Sequence, residues 1–129
     1  MTKTIHQAAY FNATPQEVFE LIMDAKKHAG FTGAPAKISR KIGDSFSVWD
    51  GYATGRNIEI KIDKKIVQTW RASDWPKGVE STVTFEFEPK NNGCELHFMQ
   101  TGVPEEFFSD IEQGWKDNYW SLMKDYLDK

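Results

Sequence analysis

Three histidines and one cysteine are the side chains best suited to hold a metal or attack a carbonyl: His6, His28, His97 and Cys94. A zinc-type ion needs ligands that converge at short, repeated spacings. The histidines are scattered, and Cys94 has no second cysteine to join it. No metal site is expected. His97 stands between Leu96 and Phe98 on an alternating stretch, which turns it toward solvent. Cys94 follows a turn and reads as a small strand residue rather than a nucleophile. There is no Gly-x-Ser-x-Gly elbow, and Gly51-Tyr52-Ala53-Thr54-Gly55 is not a phosphate loop. No catalytic residue and no cofactor is assigned.

The 19 acidic residues fall mostly on polar faces and in turns. Asp50 and Asp74 stand beside Trp49 and Trp75 in loops, where turn formation is the expected role. The aromatic residues are more informative: nine Phe, five Trp and four Tyr are many for 129 residues. Rings of this size imply a bulky core, an aromatic-lined cavity, or both. Phe46, Val48, Ile58, Trp70, Phe85, Phe87, Phe98, Trp115 and Tyr119 all fall in the inward phase of their elements. So do three polar residues, Arg56, Gln68 and Gln100. Buried polar groups need partners, so these twelve residues are the candidate lining of a ligand cavity. A solid core, in which the polar members satisfy one another, is the equal alternative. Trp75 and Trp120 fit neither pattern and are the aromatic candidates for a partner surface, with packing on the short N-terminal helix the alternative for Trp120.

The elements that position these residues follow from periodicity. Ile5 to Phe11 is extended, and Thr14-Pro15-Gln16-Glu17 then reads as a capped helix start. That helix continues or restarts after Asp24 and is expected to end at Gly30. From Phe46 onward the period changes to two, which signals strands with one buried and one wet face. Arg56, Ile58, Ile60 and Ile62 form one such series. Asn92-Gly93 marks the strongest hairpin turn. Pro104 or Ser109 opens the last helix, with Ser109 to Glu112 as a second capping box. Ile111, Trp115, Tyr119, Leu122 and Tyr126 then make one apolar stripe. The expected architecture is α+β: an antiparallel sheet of six to seven strands covered by one long C-terminal helix, in one domain spanning 1–129.

Net charge is −3, and the longest basic runs are short pairs: Lys26-Lys27, Arg40-Lys41 and Lys64-Lys65. Nucleic-acid binding is therefore not expected. No run of apolar residues is long enough to span a membrane. The lone thiol and the absence of an apolar leader lead to a cytoplasmic expectation.

Several stretches carry a resemblance. They are Phe31 to Ala36, Phe46-Ser47-Val48-Trp49-Asp50-Gly51-Tyr52-Ala53-Thr54-Gly55, Ile66 to Arg71, Asp74-Trp75-Pro76-Lys77-Gly78, Ser81 to Phe85, Thr101-Gly102-Val103-Pro104-Glu105, and Gly114 to Trp120. In these the chain resembles the activator of heat-shock-protein-90 ATPase homologue-like family, within the START-like helix-grip superfamily (SRPBCC). The resemblance implies a curved sheet gripping a C-terminal helix. It also implies the C-terminal module of a co-chaperone that stimulates a chaperone's ATPase. Other members of the superfamily bind lipids or other apolar molecules between sheet and helix, and a few are cyclases or aromatases. The first expected function is therefore a non-enzymatic module binding a small apolar or aromatic ligand. The alternative is a chaperone-associated or stress-response interaction domain. An enzyme comes third, because an acid or base in a shaped pocket leaves no short motif.

Overall fold

The computed structural model describes residues 1–128. The chain begins with β1 (Thr2–Phe11) and then turns into α1 (Pro15–Met23). The capping box forms as expected. Glu17 N donates to Thr14 Oγ1 at 3.1 Å, and Thr14 N donates to Glu17 Oε1 at 3.0 Å. Asp24 caps the next helix, α2 (Ala25–Thr32). That helix ends at Gly33, with φ 77°, and not at Gly30. Gly30 instead lies against the ring of Tyr126, which a larger side chain would push away.

Strands β2 (Ser45–Val48), β3 (Ala53–Lys61), β4 (Lys65–Ala72), β5 (Ser81–Lys90) and β6 (Gly93–Pro104) follow. All six strands form one antiparallel sheet in the order β1-β6-β5-β4-β3-β2. The first strand thus docks on the last, and β2 is the far edge. The β5–β6 turn uses Asn91 and Asn92, with φ 50° and 65°, as its two central residues. This is one residue earlier than Asn92-Gly93. Two left-handed residues match the twist of the flanking strands. Gly93 itself begins β6, where a side chain would strike the carbonyl of Phe11 and the hydroxyl of Tyr10.

β3 corrects the expected phase. Arg56 and Ile58 are exposed, Ile58 at 48%, whereas Asn57 is buried. The cause is a bulge: Asn57 pairs with Gln68, but Glu59 pairs with Val67, so Ile58 is an extra residue. An extra residue flips every side chain beyond it to the other face. Ala53 and Asn57 face inward before the bulge, and Ile60 is half-buried after it. Ile62 ends up exposed in the turn.

The C-terminal helix also departs from a regular pattern. A short 3-10 turn (Glu105–Phe107) leads into α3 (Phe108–Trp115), a π-helical turn (Lys116–Trp120) and α4 (Ser121–Leu127). Ser109 does not cap, since α3 begins one residue earlier without a side-chain cap. The π turn is marked by Ser121 N donating to Lys116 O, five residues back. One extra residue in the turn rotates the apolar stripe. Tyr119 and Trp120 are both buried as a result, and Met123 takes the inner face that Leu122 was expected to hold.

Trp120 is therefore not a surface residue, and neither is Trp75, which is 3% exposed. Trp75 packs on Trp70 at 5.4 Å between ring centroids. The core is largely aromatic, with Trp115 at its centre. Its ring lies 4.3 Å from Phe98, 4.6 Å from Tyr119 and 5.7 Å from Trp70. Burial of each ring stabilises the fold by about 1.5–3 kcal/mol. No helix among the described residues is long and apolar enough to cross a membrane.

Candidate functional site

The grip between sheet and helix closes tightly. A small void of about 20 Å³ lies among Ile22, His28, Phe46, Gln68, Trp115 and Tyr119. That volume suits about one water molecule. Val48, Trp70 and Phe85 complete its wall with Ile38. Seven of the twelve candidate cavity residues thus surround a space too small for an organic ligand. Phe87, Phe98 and Gln100 are buried elsewhere in the core, Phe87 against Phe19 at 5.5 Å. Arg56 and Ile58 lie outside it.

The buried polar residues form two hydrogen-bonded chains. Trp115 Nε1 donates to Gln100 Oε1 at 2.7 Å, Gln100 Nε2 donates to Ser81 Oγ at 2.9 Å, and Ser81 Oγ donates to the Trp70 carbonyl at 2.8 Å. This chain anchors the last helix to the middle of the sheet. In the second, Gln68 Nε2 donates to Asn57 Oδ1 at 3.0 Å. Asn57 Nδ2 in turn donates to the carbonyls of Ser39 (2.7 Å) and Lys41 (3.0 Å). That chain secures the loop before β2. Asn57 and Ser81 escaped the sequence reading, Asn57 because the bulge is invisible in the alternation.

His28 was not singled out as an inward residue, yet it is 2% exposed. Its Nε2 lies 2.9 Å from the Tyr119 hydroxyl, and its Nδ1 has no partner. Burial pushes its pKa down to about 4, so the ring is neutral at pH 7. Burial also raises the Tyr119 phenol, partly offset by the Trp49 indole beside it. Cys94 is fully buried, and burial lifts its thiol to about 11. A thiol held protonated in this way is a poor nucleophile.

Outside the grip, Glu88, Glu95 and His97 gather on the wet face of the β5–β6 hairpin, with ligand atoms within 4.8 Å of one another. Glu88 pairs directly across from Glu95, and His97 follows two residues on. Strand register brings them together, so chain spacing gave no sign of it. Lys90 Nζ sits 3.3 Å from Glu95 and already neutralises part of that charge.

A larger space opens at the mouth of the grip. It is a half-open cleft of about 310 Å³ between the β2–β3 turn and α3. Its walls are Trp49, Tyr52, Trp70, Trp115 and Tyr119, with Asp110 and Asn118 as polar members. The turn is unusual: Trp49, Asp50 and Gly51 all have positive φ, at 56°, 54° and 90°. Asp50 N bonds to the Pro35 carbonyl at 3.0 Å, which fixes the turn against the preceding loop. Trp49 then meets Tyr119 edge-on at 6.2 Å. Trp49, Tyr52, Asp110 and Asn118 were not among the cavity candidates, because a cleft made by a turn and a helix leaves no periodic signal.

Comparison with known proteins agrees with this architecture. The family model described as activator of Hsp90 ATPase homolog 1-like protein matches residues 12–128. The activator of 90 kDa heat shock protein ATPase homolog from Dictyostelium discoideum is 34% identical over 127 residues, 95% of this chain and 32% of that protein. The human activator of 90 kDa heat shock protein ATPase homolog 1 is 31% identical over 114 residues, 88% of this chain and 34% of that protein. The chain therefore spans about a third of the length of these curated relatives. Among solved structures, an HSP90 activator from Plasmodium falciparum superposes with a TM-score of 0.87 at 27% identity, covering 99% of this chain and 96% of that one. On the strength of that match along nearly its whole length, the chain belongs to the activator of Hsp90 ATPase homologue 1-like family.

Proposed function

We propose that the chain is a binding module that engages a chaperone of the 90 kDa heat-shock class and acts on its ATPase cycle. The observation that carries this reading is the match to proteins named as activators of that ATPase, which covers residues 12–128 in the family model and 95% of the chain in the Dictyostelium relative. The near-solid interior supports it, since a void of about 20 Å³ leaves the grip committed to its own core. A partner needs exposed apolar surface. Ile42 and Ile58, 64% and 48% exposed, supply some. Gly43 N donates to the Asn57 carbonyl and Asn57 N donates to that of Asp44, which sets these two segments side by side. Pulldown of the chaperone and an assay of its ATP hydrolysis test the reading. Stimulation or saturable capture supports it; neither at high micromolar concentration overturns it.

A second reading is favoured by the cleft itself. Its volume of about 310 Å³ is at the lower end of small-molecule sites, and its walls are aromatic with few polar groups. In this reading a small ligand binds at the mouth of the grip rather than inside it. A thermal-shift screen of small aromatic compounds tests it. Compounds that stabilise the wild-type chain but not a Trp49→Ala variant support the site, and stabilisation by none removes it.

A further inference from the structure

The walls and the rim of the cleft differ in kind, and the difference specifies a ligand. Among the described residues, five aromatic side chains line it, and Asp110 is the one charged lining residue. Aromatic faces carry partial negative charge and attract cations, most strongly when the cation is large and weakly hydrated. We propose that this cleft binds a small organic cation carrying an alkylated ammonium head. The proposal rests on the reading of the cleft as a ligand site and adds the charge class of the ligand.

Three observations carry it. First, charge at the cleft has one sign. Among the described residues, no Lys, Arg or His lines it. The Tyr52 phenol is raised mainly by burial, but also by the charges of Asp74 and Asp110, so both carboxylates act on this rim. An anionic ligand would meet Asp110 without a counter-charge. A purely apolar one would gain nothing from that carboxylate, which is exposed at the rim. A cation removes both objections.

Second, the cations among the described residues do not use these rings. Its cation–aromatic contacts are Lys3 over Phe108, Arg40 over Phe19 and Lys124 over Phe11. None of these three rings lines the cleft. Among the described residues, the faces of Trp49, Tyr52, Trp70, Trp115 and Tyr119 carry no internal cation.

Third, Trp49 is held in a conformation that bulky residues avoid. Its φ of 56° lies in the left-handed region, where a large side chain is a genuine outlier. Backbone strain of this kind persists where the surrounding structure enforces it, and it clusters at ligand-binding positions. Here the turn places the indole on the cleft wall, edge-on to Tyr119.

The test is a titration followed by tryptophan fluorescence and by indole N–H resonances. The probes are phenyltrimethylammonium, the neutral cumyl alcohol of similar shape, and benzenesulfonate. The cation is expected to bind about tenfold more tightly than the alcohol, with the anion weakest. Its binding should shift the Trp49, Trp70 and Trp115 resonances. Asp110→Asn should weaken the cation about tenfold and leave the alcohol unchanged. Trp49→Leu should weaken both. Equal binding of alcohol and cation overturns the charge preference while leaving the cleft a ligand site. Binding of none of the three overturns the cleft reading as well. Cation binding that ignores Asp110→Asn, or that shifts other resonances, also overturns the proposal.

Discussion

A single histidine links the buried core to pH. The unfolded chain binds a proton at His28 near pH 6.5, whereas the folded chain does so only near pH 4. Between those values the unfolded state holds more protons, so stability is full above pH 6.5 and falls as pH drops toward 4. The shift corresponds to about 3 kcal/mol across that window. Urea unfolding midpoints measured from pH 7 to 4 should show this decline, and His28→Gln should flatten it. An unchanged slope in the variant would place the titrating group elsewhere. Gln100 makes a different demand. Replacing it with Leu leaves Trp115 Nε1 and Ser81 Oγ short of a partner each. Trp115 Nε1 is then orphaned, at an expected loss of about 1–3 kcal/mol read by chemical denaturation, while Ser81 Oγ keeps its bond to the Trp70 carbonyl. The inward phase of Gln68 and Gln100 was legible because their strands alternate cleanly. His28 was not, since a polar residue on a short helix looks solvated until the packing layer above it is known.

Elements were legible where local chemistry is self-contained. The Thr14–Glu17 capping box needs four residues and no tertiary contact, and it forms as the sequence implies. The β3 bulge and the π turn are different. Each inserts one residue that the local pattern does not announce, and the π turn is braced by a distant partner. The π turn shows this directly. Lys116 N bonds to Gln113 O, and Gln7 Nε2 from β1 donates to the carbonyl of Glu112 at 2.8 Å. Gln7 Oε1 then accepts from Trp120 Nε1 at 2.6 Å. One side chain of the first strand thus fixes the irregular turn of the last helix. Gln7→Ala is expected to cost about 2 kcal/mol and to alter the near-ultraviolet signature of Trp120. A variant as stable as wild type would show that the turn is held by its own packing. The same irregularity explains why Trp120 looked like a surface residue: a regular 3.6-residue period carries it off the stripe.

At the scale of the whole molecule, the alternating strands and the final aromatic stripe already required a sheet under a helix cover. The matched motifs pointed to the family, and both expectations hold. The state of the interior was not legible. Aromatic residues in the inward phase describe an empty pocket and a filled core equally well, and only side-chain volumes in place distinguish them. Here they fill the grip to about 20 Å³ and leave the open space at its mouth. The proposed partner would meet the surface, where Ile42 and Ile58 are exposed. The central claim is engagement of a 90 kDa heat-shock chaperone. Its most direct test is calorimetric titration of the chain into that chaperone from the same organism, for wild type and for an Ile42→Glu/Ile58→Glu variant of verified fold. The account predicts saturable binding at micromolar concentration that the double substitution weakens about tenfold or more. Absence of any binding heat at high micromolar concentration would contradict the claim, and undiminished binding by the variant would place the interface on another face.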